Sequence, residues 1–420
     1  MMSANKFLSN LTMNYPVSGI RAMFDLAADY PGAINLCNGE PNFETPEHIK
    51  ESCIQALREG RTKYGTEPGL PAMRQAVANK YTKQFGRPYD MDNVMVTIGG
   101  VEGIFMALMT ILNPGDEVII PDPAYTCYVG QTLTLGGVPV RVPLYEEHGF
   151  RLQAEDLEKA ITPKTKAIVI TYPSNPLGAV LDRADGEALA KVIEKHNIMV
   201  ISDEVYEKII FDGREHFSLA QIESIKDKVL VVNSLSKTYA MTGWRLGYCM
   251  ADIPIRDRMQ IFHQHAVVSA PSYVVGWDKD LMKHMFKMQQ AVASCLPIFT
   301  MQAGADAING PQDCVEDMRR QYERRRDLLY NGLKEIPGMK PFRTEGSFCT
   351  FINIKDFGVS SWEFSKELLV NAGVMTIAGT AFGEMGEGYL RICFANSDEN
   401  ILEGVKRIKE YIKIRKGVIY

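Results

Sequence analysis

Five short apolar runs, most of them followed by a longer amphipathic stretch, constrain the fold of this chain more than any other feature. The runs are "NVMVTI", "DEVII", "KAIVI", "IMVIS" and "VLVVN", and helical stretches such as "VEGIFMALMTIL" and "DGEALAKVIEKHN" lie between them. Apolar β-branched runs are typical of strands buried on both faces, and helices between them predict βαβ units. We therefore expect an α/β protein with a three-layer, doubly wound, mainly parallel sheet.

The pattern changes after Gly310. The charged run "VEDMRRQYERRRDLLYNGLKEI" repeats apolar residues at helical spacing, and the helical stretches "SWEFSKELLVNAG" and "NILEGVKRIKEYIKIRK" alternate with the apolar runs "SFCTFINI" and "YLRICFA". This alternation predicts a smaller α+β domain. We expect residues 46–309 to form the large domain, residues 310–420 the small one, and residues 1–45 to pack with the small domain.

Composition restricts the partners of the chain. Its 46 Lys and Arg against 51 Asp and Glu give a net charge of −5, and the two signs are interspersed, so we expect neither nucleic acid nor a membrane as a partner. The 8 cysteines are scattered without metal-ligand spacing, which predicts reduced thiols and no metal site. No run approaches the roughly 18 apolar residues of a membrane span, and a cytoplasmic enzyme with small-molecule substrates is expected.

Residues that can bind a ligand or take part in catalysis follow four of the predicted strands. In an open parallel sheet, ligands bind beyond the carboxyl ends of the strands, so these residues are expected to meet. Each also has an ordinary interpretation, since a glycine pair is often a turn, a strand-end aspartate is often a helix cap, and a lysine is usually solvated. The residues are Gly99 and Gly100, Asn175, Asp203 with Tyr206, and Lys237 with Ser234, Ser236 and Arg245.

Together these residues match the needs of pyridoxal phosphate. A lysine must form an imine with the aldehyde, a carboxylate must keep the pyridine nitrogen protonated, and donors must hold the ring oxygen and the phosphate. A glycine turn at a helix N-terminus suits the phosphate. Tyr125, just past the strand "DEVII", is the candidate for an aromatic ring stacked on the cofactor.

Several longer motifs occur in an order that resembles the class I/II aminotransferases, which are fold type I enzymes dependent on pyridoxal phosphate. They are "NGEPNFETP", "KYGTEPGLPAMRQA", "VTIGG", "NPGDEVIIPDPAY", "YPSNPLGAVL", "ISDEVYEKIIF", "NSLSKTYAMTGWRLGY" and "YLRICFA". The resemblance covers nearly the whole chain, and the stretch around Lys237 is its most specific part. It implies that Lys237 is the Schiff-base lysine.

The resemblance also implies roles for the other residues. Asp203 would pair with the pyridine nitrogen, and Asn175 and Tyr206 would bond the ring oxygen. Arg391 would clamp the substrate α-carboxylate, with Gly39 and Asn175 as further substrate contacts. The phosphate would be held by Ser234, Ser236, Arg245, the backbone of the turn at Gly99, Gly100 and Val101, and Tyr64 of a neighbouring subunit, so a homodimer with shared active sites is implied.

Three features depart from the family pattern. Cys37 stands where glycine is usual, and Leu177 stands where threonine is usual. Both could reshape the pocket wall. The third departure is an insert at about residues 267–294, in which Met282, Met285 and Met288 recur at helical spacing and indicate a packing helix.

We predict an aminotransferase that moves the amino group of an L-amino acid to a 2-oxo acid such as 2-oxoglutarate. A β-eliminating carbon–sulfur lyase on the same fold is the alternative, because it would share every cofactor contact. A transcription regulator with an aminotransferase-like domain is a more distant one. The segments expected near the pocket are "YPVSGIRAMF", "LCNGEP" and "PDPAYTCY"; they are mainly apolar or aromatic, and Arg21 is their only basic residue. An apolar or aromatic donor is therefore favoured, and glutamate as the co-substrate would be bound by rearrangement of the pocket or by Arg21.

Overall fold

The computed structural model describes residues 9, 11, 18–66, 68–251, 285, 289 and 295–415. The helices are α1 Gly19–Ala27, α2 Glu47–Arg58, α3 Pro71–Phe85, α4 Gly99–Ile111, α5 Cys127–Thr134, α6 Ala154–Ala160, α7 Arg183–His196, the single turn α8 Leu235–Thr238, α9 Ile298–Asn309, α10 Asp313–Lys334, α11 Ser361–Glu367 and α12 Asp398–Arg415. The strands are β1 Ile34–Asn35, β2 Val94–Ile98, β3 Glu117–Asp122, β4 Val138–Pro143, β5 Thr165–Thr171, β6 Met199–Asp203, β7 Val229–Ser234, β8 Leu246–Ala251, β9 Lys340–Pro341, β10 Cys349–Asn353, β11 Val374–Met375, β12 Ile377–Ala378 and β13 Tyr389–Cys393.

The large sheet has seven strands in the order β2-β8-β7-β6-β5-β3-β4. Strands β3 to β7 are mutually parallel, whereas β8 is antiparallel to both of its neighbours. Every residue of β7 and β8 is buried, and helices cover both faces of the sheet. The predicted α/β class with a mainly parallel sheet is therefore confirmed.

Local signals explain where several helices begin and end. The Ser18 hydroxyl accepts a hydrogen bond from the Arg21 amide and caps α1, and the Asp182 carboxylate caps α7 through the Asp185 amide. Helix α3 has proline at its first position and ends at Gly86, whose φ of +70° is accessible to glycine. These caps satisfy backbone groups that the helix itself leaves unpaired.

The C-terminal part is a four-stranded sheet, β12-β13-β10-β9, packed against α10 and α12. Helix α10 buries Val315, Met318, Tyr322, Leu329 and Leu333 at helical spacing, as its sequence indicates. Strand β1 pairs in parallel with β11, so the N-terminal segment contacts the C-terminal part through a small sheet of its own. The division into domains at residues 45 and 309 stays a prediction.

The insert predicted at about residues 267–294 falls mostly outside the described residues, and so do Met282 and Met288. Met285 is fully buried against the sheet and α4. The Gln289 side-chain amide donates to the backbone oxygen of Val96, at 2.6 Å, along the outer edge of β2. Within the described parts of the chain, no helix is both long and apolar enough to cross a membrane.

Candidate active site

A cavity of about 480 Å³ opens at the carboxyl ends of β5, β6 and β7. This is the edge at which the sequence placed the reactive residues. Most of them line the cavity together: Gly39, Gly100, Val101, Tyr125, Asn175, Asp203, Tyr206, Ser234, Ser236, Lys237, Arg245 and Arg391. The sheet thus brings residues from distant segments to one site.

Lys237 is held at the cavity by the short helix α8. The Ser234 hydroxyl caps this turn by accepting from the Ser236 amide at 3.1 Å. The ammonium group donates to the backbone oxygen of Gly39 at 2.5 Å. Burial lowers the pKa of Lys237 to about 8, from an ordinary value near 10.5. Near pH 8 about half of this amine is therefore neutral and able to act as a nucleophile or base.

The end of the cavity beside β2, β8 and β7 is built to hold an anion. Helix α4 begins at Gly99, so unpaired backbone N–H groups and the positive end of the helix dipole point there. The hydroxyls of Ser234 and Ser236 lie 2.8 Å apart at the same end. Arg245 adds a guanidinium group, which donates to the backbone oxygen of Thr242 at 2.9 Å.

Two glycines allow this close approach. Gly99 has a φ of +69°, and a Cβ atom there would lie 2.6 Å from Nη2 of Arg245. A Cβ atom on Gly247, in β8, would lie 2.8 Å from the backbone nitrogen of Gly100. Residues larger than glycine would displace the turn or the guanidinium group. The two glycines therefore allow the turn and the guanidinium group of Arg245 to lie close together.

Asp203 lies at the opposite end of the cavity and is buried. Its carboxylate accepts from the Tyr128 hydroxyl at 2.7 Å and from the Val205 amide at 3.3 Å. Burial nevertheless raises the pKa of Asp203 to about 6, against a stabilising hydrogen bond from Tyr128. A buried carboxylate with a raised pKa is stabilised by a cationic partner, so this end of the cavity favours a protonated nitrogen.

Arg391 forms the floor of the cavity from strand β13. It is 4% exposed, and its Nη2 donates to the backbone oxygen of Cys37 at 2.8 Å. Its Nη1 lies 3.5 Å from Oδ1 of Asn175. The buried Nε has no hydrogen-bond partner in the described protein. A guanidinium group with an unused buried N–H suits a carboxylate, which binds arginine through two hydrogen bonds.

Some residues named from the sequence do not line the cavity. Gly99 lies behind its wall, and Tyr64 is 90% exposed on this chain. Leu177 is fully buried away from the cavity, whereas Cys37 is part of the wall. The expectation for Arg21 is wrong: it pairs with Asp25 at 2.8 Å on the solvent face of α1.

Other residues at the site receive no individual role from the sequence, although several of them lie in the segments "YPVSGIRAMF", "LCNGEP" and "PDPAYTCY" that are expected near the pocket. Tyr128 lies on α5 three residues after Tyr125, and this helical spacing could have identified it. Ile20 and Phe24 line the cavity from one face of α1, also at helical spacing. The remaining members, Asn38, Glu40, Thr171, Val205 and Thr242, come from loops or strand ends and carry no sequence signal of their own.

Three parts of the cavity suit three chemical groups that one cofactor could carry. The glycine turn, the serines and Arg245 suit a phosphate. The amine of Lys237, which is partly deprotonated near pH 8, suits an aldehyde. The buried carboxylate of Asp203 suits a pyridinium nitrogen. The unused Nε of Arg391 leaves a separate place for a substrate carboxylate. Pyridoxal 5′-phosphate with a bound amino acid therefore fits this donor set.

Comparison with known proteins agrees with this fit. A family model described as aminotransferase class I and II matches residues 31–408. The chain is 40% identical over 404 residues to an aromatic-amino-acid aminotransferase 2 of Thermococcus litoralis, covering 96% of this chain and 97% of the relative. It is also 40% identical over 402 residues to an aspartate aminotransferase of Pyrococcus abyssi, covering 95% and 96%.

Solved structures give the same result. An aromatic aminotransferase from Pyrococcus horikoshii superposes with a TM-score of 0.83 at 38% identity, covering 94% of this chain and 99% of the other. An aspartate aminotransferase from Thermus thermophilus with maleate superposes with a TM-score of 0.85 at 32% identity, covering 96% and 99%. The names of these relatives and solved structures thus refer to both aromatic and acidic amino acids.

Proposed function

Because the chain belongs to the aminotransferase class I and II family, we propose that it moves the amino group of an apolar or aromatic L-amino acid to a 2-oxo acid such as 2-oxoglutarate. The reaction type and the cofactor, pyridoxal 5′-phosphate, follow from the family. The relatives are aminotransferases, and they lend no support to the carbon–sulfur lyase alternative. The substrate class is the proposed part, since the relatives' names divide between aromatic and acidic substrates.

The composition of the cavity wall supports an apolar or aromatic donor. Ile20, Phe24 and Tyr125 supply apolar surface, and Glu40 lies at the wall as an acid. Among the described lining residues, the cations are Lys237, Arg245 and Arg391, each of which has a role at the cofactor or at the α-carboxylate. A distal carboxylate would lack a partner and face Glu40, which costs several kcal/mol, whereas a buried apolar side chain contributes roughly 1.5–3 kcal/mol.

The chain's residues divide the task of holding the cofactor. The backbone N–H groups of Gly100 and Val101, the serine hydroxyls and Arg245 hold the phosphate. Asn175 and Tyr206 donate to the ring oxygen, Tyr125 packs against the ring face, and Asp203 keeps the proton on the pyridine nitrogen. When bound, the cofactor supplies an electron sink for the pair left at the substrate Cα.

Two residues act directly on the substrate. Arg391 binds its α-carboxylate, with Asn175 and the backbone of Gly39 beside it, and this contact orients the Cα–H bond toward Lys237. The neutral amine of Lys237 would remove the proton from Cα and, once protonated, would give it back, acting as base and then as acid. Its pKa of about 8 suits both directions of transfer near neutral pH.

A panel of amino donors with 2-oxoglutarate tests the substrate class. We expect kcat/KM for phenylalanine, tyrosine, leucine or methionine to exceed that for aspartate at least tenfold, because the described lining residues offer apolar contact and no cation beyond the three already assigned. The Phe24→Ala variant should lower kcat/KM for phenylalanine about tenfold, an effect near 1.4 kcal/mol for a partly exposed ring. Its kcat/KM for alanine should change little.

Arg21→Ala is the matched control on the same helix, since the Arg21 side chain is 77% exposed and points away from the cavity. This variant should keep the donor preference of the unmodified enzyme. A clear preference of the unmodified enzyme for aspartate would contradict the proposed substrate class while leaving the aminotransferase reaction in place.

Replacing Arg391 tests the α-carboxylate contact. Arg391→Gln should raise KM for every amino donor by roughly tenfold to a hundredfold, the loss of one charge-assisted hydrogen-bond pair. The cofactor's absorbance should stay unchanged, because Arg391 is not among its contacts. Arg391→Lys keeps the charge and should recover part of the loss. A KM within twofold of normal in Arg391→Gln would remove this residue from the substrate site.

We also propose that two copies of the chain form a homodimer. Tyr64 is 90% exposed and far from the cavity of its own chain, although the family pattern assigns it to the cofactor phosphate. A second copy that receives this side chain explains both observations. The cytoplasmic location stays a prediction of the sequence.

A further inference from the structure

Two cysteines face each other in the sheet beneath the candidate active site. Cys349 on β10 and Cys393 on β13 are directly opposite in the antiparallel register. Their sulfur atoms are 2.8 Å apart, and both residues are almost fully buried. They are free thiols in the structure. No role in the proposed reaction requires this pair.

The backbone geometry at this pair suits a disulfide. The Cys393 amide donates to the backbone oxygen of Leu36 at 2.7 Å, and the Cys349 amide donates to Oγ of Ser347 at 3.4 Å, so the two cysteines do not exchange backbone hydrogen bonds. In such non-hydrogen-bonded pairs, Cα atoms lie about 4.5 Å apart. Disulfides span Cα separations of about 4.4–6.8 Å, so the strands need little movement.

The surroundings activate one of the two thiols. Burial opposes ionisation of Cys393, but the hydrogen bond from Cys349 and the positive charges of Arg391 and Lys237 outweigh burial and lower the pKa of Cys393 below its ordinary value. The pKa of Cys349 is raised by its burial and by its neighbour. The pair therefore combines a cysteine that ionises more readily to the reactive thiolate with a thiol hydrogen-bonded to it.

The pair also lies next to the cavity. Nζ of Lys237 is 5.6 Å from the centre of the Phe348 ring, and Phe348 precedes Cys349 in the chain. Arg391 and Cys393 are two residues apart on β13 and so point to the same face of the sheet. Arg391 lines the cavity, so Cys393 is two residues along β13 from the cavity wall, although neither cysteine is itself a lining residue.

We propose that Cys349 and Cys393 are a redox-sensitive pair that a hydroperoxide converts into a disulfide beneath the α-carboxylate site. The Cys393 thiolate attacks one peroxide oxygen, so an S–O bond forms, the O–O bond breaks, and the departing oxygen takes a proton to become water or an alcohol. The Cys349 sulfur then attacks the Cys393 sulfur, so the S–S bond forms and the S–O bond breaks. The second oxygen leaves as water with the Cys349 proton, and the two sulfurs have lost two electrons to the peroxide.

The consequence for activity rests on the proposed function. A thiolate beside the Arg391 guanidinium repels the α-carboxylate that this group binds, and a disulfide carries no charge. Oxidation should therefore tighten donor binding. The ionisable groups close to the pair are Lys237, Arg391, Cys37, Tyr206 and Tyr322. Of these, the two cations stabilise the thiolate, and the others are held neutral by pKa values raised through burial.

Peptide mapping of the loaded, full-length enzyme tests the disulfide itself. Reduced protein is treated with hydrogen peroxide, the remaining thiols are alkylated under denaturing conditions, and the digest is examined by mass spectrometry without reductant. We expect one linked peptide pair containing Cys349 and Cys393 that separates on treatment with dithiothreitol. Cys249, which is opposite Met95 and Val232 in its sheet, should remain alkylated. Separate alkylated or over-oxidised Cys349 and Cys393 peptides would overturn the proposal.

Steady-state kinetics at pH 8 test its consequence. KM for the amino donor should fall roughly three- to tenfold on oxidation, the effect of removing one partly screened charge, and should return with dithiothreitol. Cys393→Ser should show the lower KM throughout and should not respond to peroxide, whereas Cys314→Ser, in the first turn of α10, should respond normally. A disulfide without any change in KM would overturn the link to Arg391. Reduced enzyme that transfers no amino group would instead contradict the proposed function.

Discussion

Lys237→Ala should abolish aminotransfer and prevent permanent attachment of the cofactor when the enzyme is reduced with borohydride. In the proposed reaction this amine is the base and acid at the substrate Cα, and it is the only lysine at the described cavity, so its loss should lower kcat by up to about 10⁴-fold. Borohydride-treated protein is digested, and the labelled peptide is identified by mass. The unmodified enzyme should be yellow and should carry the label on Lys237.

The matched control lies just before strand β7, whereas Lys237 lies just after it. Lys226 precedes the amino end of β7 and pairs with Glu223 on the surface, at the opposite end from the cavity. Lys226→Ala should retain labelling and turnover. A borohydride label on any lysine other than Lys237 would remove the central assignment of the site.

Asp203→Asn should bind the cofactor yet turn over very slowly. Asparagine keeps an oxygen that can accept from the Val205 amide, but a neutral amide cannot stabilise a protonated ring nitrogen. Losing one member of a buried charge pair costs about 3–5 kcal/mol, which corresponds to roughly 10²–10⁴ in kcat. Single-turnover absorbance changes with a good amino donor measure this step directly.

Asp122→Asn is the comparison for this result. Asp122 is also a buried aspartate at a strand end with a pKa raised by burial, but it does not line the cavity. Its replacement should lower stability, because the ion pair with Arg141 is lost, and leave kcat of the folded enzyme nearly unchanged. If Asp203→Asn behaved in the same way, Asp203 would be a structural cap.

The large sheet could be predicted from sequence because its central strands have a strong signal. The strands β2, β3, β5, β6 and β7 are buried runs of β-branched residues, and helical spacing identifies α4, α7 and α10. Strand β4 carries two prolines, and β8 contains Gly247, so neither has this composition. Their positions depend on pairing with distant segments, which local propensity does not encode.

The residues of the site also fall into a group that could be predicted from the sequence and a group that could not. Residues at strand ends, such as Asp203 and Lys237, could be found because parallel strands bring their carboxyl ends to one edge. The apolar wall could be predicted only as a segment, "YPVSGIRAMF", because packing between α1 and the C-terminal part decides that Ile20 and Phe24 are the members that reach the cavity. Gly19 approaches Ala381 so closely that an added Cβ atom would lie 2.9 Å from the alanine Cβ. Such tertiary contacts have no counterpart in spacing along the chain.

The position of β8 has a consequence for the order in which the protein becomes functional during synthesis. β2 and β7 lie on either side of β8, which is the last of these strands to leave the ribosome. The anion-binding turn, Ser234 and Arg245 therefore come together only after residue 251 has emerged, and Gly39 and Arg391 only when β13 has been added. A ligand that binds just the assembled site stabilises finished chains selectively. The cofactor contacts proposed on this chain all precede residue 251, whereas the substrate contact Arg391 is added with β13, so the cofactor end of the cavity can be complete before the substrate end.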